Sequence, residues 1–279
     1  MRRTPAVAGL FYPAQPEALK AEVTRLLSPR QAPQPVKAVV SPHAGLGYSG
    51  AVAGAVYGRI HCPAVFLLLG PNHRGVGAPV ALTAEGEWET PLGAVAIDRE
   101  VATALRSACP LIREDPVAHA HEHSLEVQLP FLQMLGAAVH IVPLVLGLVP
   151  YEVCQELAHA VAQTVRRTSR AVVIVASTDM THCGPHYRHL PPAGMTAHAF
   201  AYQEDRYAID RMLALDAQGL YEVVRQRHIT MCGFVPTTVA LLACQELGAT
   251  AATLARYMTS GDIGGDLDTV VGYAGLLIR

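Results

Sequence analysis

The chain has 279 residues, 51% of them hydrophobic, and a formal net charge of −2 at pH 7. A large core is within reach, whereas a nucleic-acid binder would need a cationic footprint that this balance lacks. No apolar run approaches the roughly 18 residues of a membrane span, and Pro5, Pro13 and Pro16 stand where a signal peptide would carry its apolar core; a cytoplasmic protein with no membrane and no nucleic-acid partner is expected.

Leu19, Val23, Leu26 and Leu27 fall on one side of a helix predicted over Pro16–Leu27. A Pro/Gln-rich connector, Ser28 to Pro35, leads to a strand at Val36–Val40. That strand runs into Pro42-His43 and a glycine-rich turn, and a helix is expected over Ser49–Ile60 with Ser49 as its N-cap. Ala64 to Gly70 is a continuous apolar run, of the kind covered on both faces in a parallel sheet, and it ends in Asn72-His73-Arg74. Ala78–Ile97 reads as a hairpin excursion punctuated by Gly86, Pro91 and Gly93. Asp98 can cap a helix over Arg99–Ala108. His119 to Ser124 is a polar loop, and a helix over Leu125–Leu135 is ended or kinked at Pro130.

A strand over Ala138–Leu146 and a helix over Tyr151–Arg166 form a further βα unit, and strand Ala171–Ala176 ends in a polar stretch from Ser177 to His182. Helices Ala197–Leu213, Ala217–Arg227 and Pro236–Leu247 and strands Thr253–Met258 and Thr269–Leu277 complete the chain. The expected fold class is α/β: a single domain, residues 1–279, with a central mostly parallel or mixed sheet flanked by helices.

Three predicted strands therefore carry polar residues at their carboxyl ends, where open α/β sheets place their ligands. His43 and His73 follow two strands expected to be adjacent. A converging imidazole pair suits Fe, Cu or Zn, and a third ligand would complete a facial set; Asp179, His182, Glu122 and Cys232 are the candidates. His119, His121 and His123 would share one face if extended, and His123 is the best placed of the three for metal binding or proton transfer. The six cysteines include no Cys-x-x-Cys pair and read mainly as buried hydrophobes; Cys183, beside His182, is an understudy for Cys232. Gly45-x-Gly47-x-x-Gly50 matches a dinucleotide fingerprint, but no acidic residue ends the next strand. Its glycines are read as allowing close packing around His43. Asp262, Asp266 and Asp268 do not fit a calcium loop and are read as turn formers.

Taken together, Pro42 to Gly45, Leu69 to His73, Glu122 to Pro130, Ser177 to His182 and Thr230 to Gly233 occur in the order seen in the Memo family. Its bacterial and archaeal members are called AmmeMemoRadiSam system protein B. Ala8 to Pro13 and Val271 to Gly275 resemble that family too, so the resemblance runs nearly end to end. It implies a fold similar to class III, extradiol-type non-haem iron dioxygenases. It also implies His43, His73 and Cys232 as ligands for Fe(II) or Cu, with Zn as a further option, and Asp179 and His182 as a neighbouring polar pair. A cysteine in place of a carboxylate softens the site. Arg74 and Phe234-Val235 depart from the animal Memo pattern.

The leading functional expectation is a metal-dependent redox enzyme acting on a small molecule. His182 and His123 would be its general acid/base groups, Asp179 would orient a histidine, and Tyr48 would face the substrate. The alternatives are a non-catalytic phosphopeptide-binding module, and a component of the AmmeMemoRadiSam system working beside radical-SAM and AMMECR1-like partner proteins.

Overall fold

A computed structural model describes residues 2–29, 31–136 and 138–279. Its strands are β1 (Arg2–Arg3), β2 (Ala38–Ser41), β3 (Val65–Pro71), β4 (Val80–Leu82), β5 (Glu87–Thr90), β6 (Gly93–Ile97), β7 (Arg113–Glu114), β8 (His140–Leu146), β9 (Val172–Ser177), β10 (His182–Cys183), β11 (Ala252–Thr259) and β12 (Val270–Ile278). They form one mixed sheet in the order β1-β5-β6-β8-β3-β9-β2-β12-β10, with β11 on β12 and β4 joining β7 and β8. The centre, β8-β3-β9-β2, is parallel, and every residue of β2 and β3 is buried. This is why those strands read as unbroken apolar runs.

The helices are α1 (Pro16–Leu26), α2 (Leu46–Tyr57), α3 (Arg99–Ala108), α4 (Leu129–Leu135), α5 (Tyr151–Arg167), α6 (Ala197–Leu213), α7 (Ala217–Gln226), α8 (Phe234–Glu246) and the short turn α9 (Gly261–Gly264). α8, backed by α5 and α7, packs on β9, β3 and β2, while α2, with α1 and α4, packs on β2, β11 and β12. The α/β class with a sheet flanked by helices is as expected. Asp98 caps α3 through a hydrogen bond from the Val101 amide at 3.0 Å. No helix among the described residues is long and apolar enough to cross a membrane.

Three local expectations change. First, α2 begins at Leu46 rather than Ser49, with Gly45 as N-cap, and the Ser49 hydroxyl donates to the Ala44 carbonyl at 2.8 Å. The glycine-rich turn is thus the first turn of the helix. A Cβ on Gly54 would lie 2.1 Å from the Leu26 carbonyl oxygen, and one on Gly50 2.6 Å from Leu26 Cδ1; these glycines let α2 press against α1. Second, the predicted helix over Leu125–Leu135 divides into a 3₁₀ turn at Glu126–Gln128 and α4, whose first turn carries Pro130. A proline needs no amide partner there. Third, β9 lies between β3 and β2, so the strands leading to His43 and His73 are not adjacent; parallel crossovers do not fix strand order.

Candidate functional site

β2 and β9 end level with one another, at Ser41 and Ser177. The residues that follow β2 and β3 meet here, with the His43 and His73 ring centroids 5.1 Å apart. His43 is 1% exposed, and its Nδ1 lies 2.8 Å from Ser177 Oγ. That hydroxyl donates to the Ser124 carbonyl at 2.6 Å and accepts from Gln128 Nε2 at 2.8 Å. Gln128 is oriented by its second donation, to the Pro42 carbonyl, and by Tyr57, whose hydroxyl donates to Oε1. With its only proton committed to Ser124, Ser177 acts as acceptor toward His43. Nδ1 therefore carries the proton and Nε2 keeps its lone pair. Burial, with His73 and His123 as neighbours, holds His43 neutral, well below the usual imidazole range.

His73 is fixed in the same sense by Glu122. The carboxylate accepts from the His73 amide at 2.7 Å, from His73 Nδ1 at 2.9 Å and from the Ser124 amide at 2.8 Å. Burial alone would raise the Glu122 carboxyl, but the hydrogen bond and charge of His73 outweigh it and hold the group at about 2. A carboxylate behind Nδ1 leaves Nε2 as the donor, the usual arrangement behind a metal-binding histidine. His123 stacks on His73, with centroids 4.7 Å apart and planes at 11°, and Phe11 meets it edge-on at 4.8 Å. Burial, then His73, lower His123 to about 4, so it is a neutral imidazole at neutral pH.

His43, His73 and His123 thus converge, each offering one nitrogen, with these atoms all within 4.8 Å of one another. Cys232 stands just outside this trio. Its Sγ lies 3.3 Å from His43 Nε2 and accepts from the Asp179 amide at 3.3 Å. Burial, then Asp179, push its thiol up. Gly233 brings it there: a Cβ at that position would lie 2.3 Å from the Ser177 carbonyl oxygen. Asp179 Oδ1 accepts from the His43 amide at 2.8 Å and the Ala44 amide at 3.3 Å, so this carboxylate holds the His43 backbone rather than its ring. His182 Nδ1 lies 2.9 Å from the Met180 carbonyl and 3.1 Å from that of Thr230, which makes Nδ1 the donor and Nε2 the basic nitrogen. A cleft of about 560 Å³ adjoins the centre, lined among others by Phe11, Tyr48, His123, Asp179, His182 and Tyr187.

The remaining candidates lie elsewhere. His119 closes a 3₁₀ turn, Pro116–His119, and packs edge-on to Trp88 at 5.6 Å; His121 is exposed. The loop is not extended, so the three alternating histidines do not share a face. Cys183 is buried in a separate apolar cluster with Ala197, Ala201 and Val270. Asp266 Oδ1 accepts from the Asp268 and Thr269 amides, as a turn former does.

Sequence pattern does not single out Ser177, Gln128, Arg3 and Glu126 as supports of the site, yet each holds part of it in place. Glu126 is fully buried and accepts from Arg3 Nη1 at 2.7 Å, the Ala6 amide at 2.8 Å, the Val7 amide at 3.0 Å and Tyr12 Oη at 2.5 Å. Arg3 also donates to the carbonyls of His119 and Glu122, at 2.7 and 2.6 Å, tying the N-terminal segment to the loop that carries Glu122 and His123. The available signal was two polar residues, Glu126 and Gln128, in a stretch otherwise apolar from Leu125 to Leu132.

Over residues 3–277 the sequence matches the family described as Memo-like protein. The chain belongs to the Memo family. A MEMO1 family protein of Methanopyrus kandleri is 40% identical to it over 293 residues, covering 100% of this chain and 99% of the relative. One from Methanothermobacter thermautotrophicus is also 40% identical, over 99% of this chain and 100% of its own. One from Caldivirga maquilingensis is 37% identical over 98% of each. The histidine centre of this Memo chain therefore lies in a sequence similar to these relatives along nearly its whole length.

Proposed function

We propose that this Memo protein is a metal-dependent redox enzyme, related in kind to the non-haem iron dioxygenases, acting on a small molecule held in the cleft beside the histidines. The observation that carries the reading is the convergence of His43, His73 and His123, with Nδ1 of His43 and of His73 each committed to a buried oxygen partner. Imidazoles that present Nε2 with Nδ1 already partnered, as in His43 and His73, suit Fe(II), Cu or Zn. His43 and His73 would be ligands, with His123 and the Cys232 thiolate as the further donors. A bound metal would supply a Lewis-acidic or redox-active centre.

The protein's own groups have separable tasks. Ser177 and Glu122 hold the two imidazoles in register. Asp179 fixes the backbone at His43. His182, with Nδ1 tied to two carbonyls, can move a proton through Nε2, and Tyr48 offers a hydroxyl at the cleft mouth.

The test is anaerobic reconstitution with Fe(II), Cu(I) and Zn(II), followed by metal counting on wild type, His73→Ala, His123→Ala and Cys232→Ser. Near-stoichiometric binding that is lost in His73→Ala supports the reading. The other two variants separate an all-histidine set from one containing the thiolate. Oxygen uptake by the Fe(II)-loaded protein with a panel of small molecules then tests turnover. A wild type that takes up no metal overturns the proposal.

A further inference from the structure

The cleft beside the histidines has a one-sided chemistry. Four aromatic rings line it, Phe11, Tyr48, Tyr187 and Tyr273, together with two carboxylates, Asp179 and Asp266. Among the described residues no lysine or arginine lines it. Tyr48 and Tyr187 are 54% and 37% exposed, a large aromatic area to leave open to water. In each carboxylate one oxygen is occupied by two backbone amides: Oδ1 of Asp179 by His43 and Ala44, and Oδ1 of Asp266 by Asp268 and Thr269. The other oxygen of each makes no hydrogen bond among the described residues. Asp179 is close enough to Tyr187 and Tyr273 to raise both phenols further, on top of the effect of burial. The imidazoles of His123 and His182 line the same cleft. Burial, partly offset by His182 and by the His43 and Ala44 amides, raises the Asp179 carboxyl, so the exposed Asp266 is the carboxylate open to a ligand's charge.

We propose that the cleft takes an organic cation: an ammonium group joined to an apolar or aromatic body. Aromatic faces attract cations through their quadrupole, and a carboxylate with a free oxygen completes the charge pairing. A phosphate or carboxylate ligand would meet the like charge of Asp266 and, among the described residues, no guanidinium or ammonium lining the cleft. The Arg74 charge helps to lower the His123 imidazole, but Arg74 is not among the residues that line the cleft. The volume of about 560 Å³ suits a small molecule of this kind. The inference rests on the reading of the cleft as the substrate site and narrows that substrate to amines.

The experiment is titration calorimetry on the full-length chain, metal-free and zinc-loaded, with phenethylamine, 2-phenylethanol, phenylacetate and phenyl phosphate as size-related probes. Phenethylamine should bind about tenfold more tightly than the neutral alcohol, a ratio in the range of a desolvated cation–π contact, and the two anions should bind more weakly than the alcohol. Asp266→Asn and Tyr187→Leu should each weaken phenethylamine severalfold while leaving zinc content unchanged. Equal or tighter binding of either anion overturns the proposal. So does phenethylamine binding indifferent to both substitutions, or no binding of any probe. Zinc content measured on the same samples separates failure of the metal reading from failure of this one, because the metal-free arm tests charge preference alone.

Discussion

Replacing Arg3 by methionine tests whether the N-terminal segment holds the histidine loop in place. Arg3 is 3% exposed and Glu126 fully buried, and their ion pair spans 2.7 Å. Methionine retains much of the aliphatic bulk under Trp88, whose ring centroid lies 4.2 Å from the guanidinium, but removes three hydrogen bonds. Removing one partner of a buried ion pair costs about 3–5 kcal/mol. Glu126 keeps Tyr12 and two backbone amides as donors, so the lower end, about 3 kcal/mol, is the expected loss. At about 2–4 °C per kcal/mol for a chain of this size class, calorimetry should show melting lowered by about 6–12 °C. Glu126→Gln in the same background removes the stranded charge, so the double variant should be more stable than the sum of the single effects predicts. Zinc affinity should fall in Arg3→Met, because the freed Glu122 carbonyl belongs to the residue that orients His73. Melting within a degree of wild type, or strict additivity in the double variant, would refute the reasoning.

Glu122→Gln should lower zinc affinity by about 10–100-fold, the usual consequence of losing a carboxylate behind a ligating histidine; competition against a chromophoric chelator measures it, and unchanged affinity would remove Glu122 from the centre. Asp205, fully buried and raised by that burial to about 6, retains a proton in the folded state that the unfolded chain releases near 3.9. Stability should therefore fall as pH rises through that window, by about 3 kcal/mol in all; urea unfolding of Asp205→Asn should lack the slope, and a slope shared with wild type contradicts the assignment. Gly54→Ala should cost about 1–3 kcal/mol by overpacking against α1, whereas Gly47→Ala, with nothing within 4 Å of the new methyl, should cost nothing. Equal tolerance of both would leave the packing account of these glycines without support.

The repeated pattern of an apolar run closing on a polar residue was legible along the chain because it is local: β2, β3 and β9 need only short stretches to declare themselves, and each places chemistry at its carboxyl end. The capping of α3 by Asp98 was legible for the same reason. The order of strands was not. β9 slips between β2 and β3 because long crossovers leave sheet position free, and that choice puts Ser177 under His43. His123 joins His43 and His73 because the 119–126 loop folds back on Arg3, more than a hundred residues earlier. No periodicity encodes such a contact. Gln128 and Glu126 interrupt an apolar stretch for reasons visible only when their partners, Ser177, Pro42, Arg3 and Tyr12, are assembled around them. Burial makes those pairings obligatory, since each polar atom withdrawn from water must find its partner wherever the fold brings one.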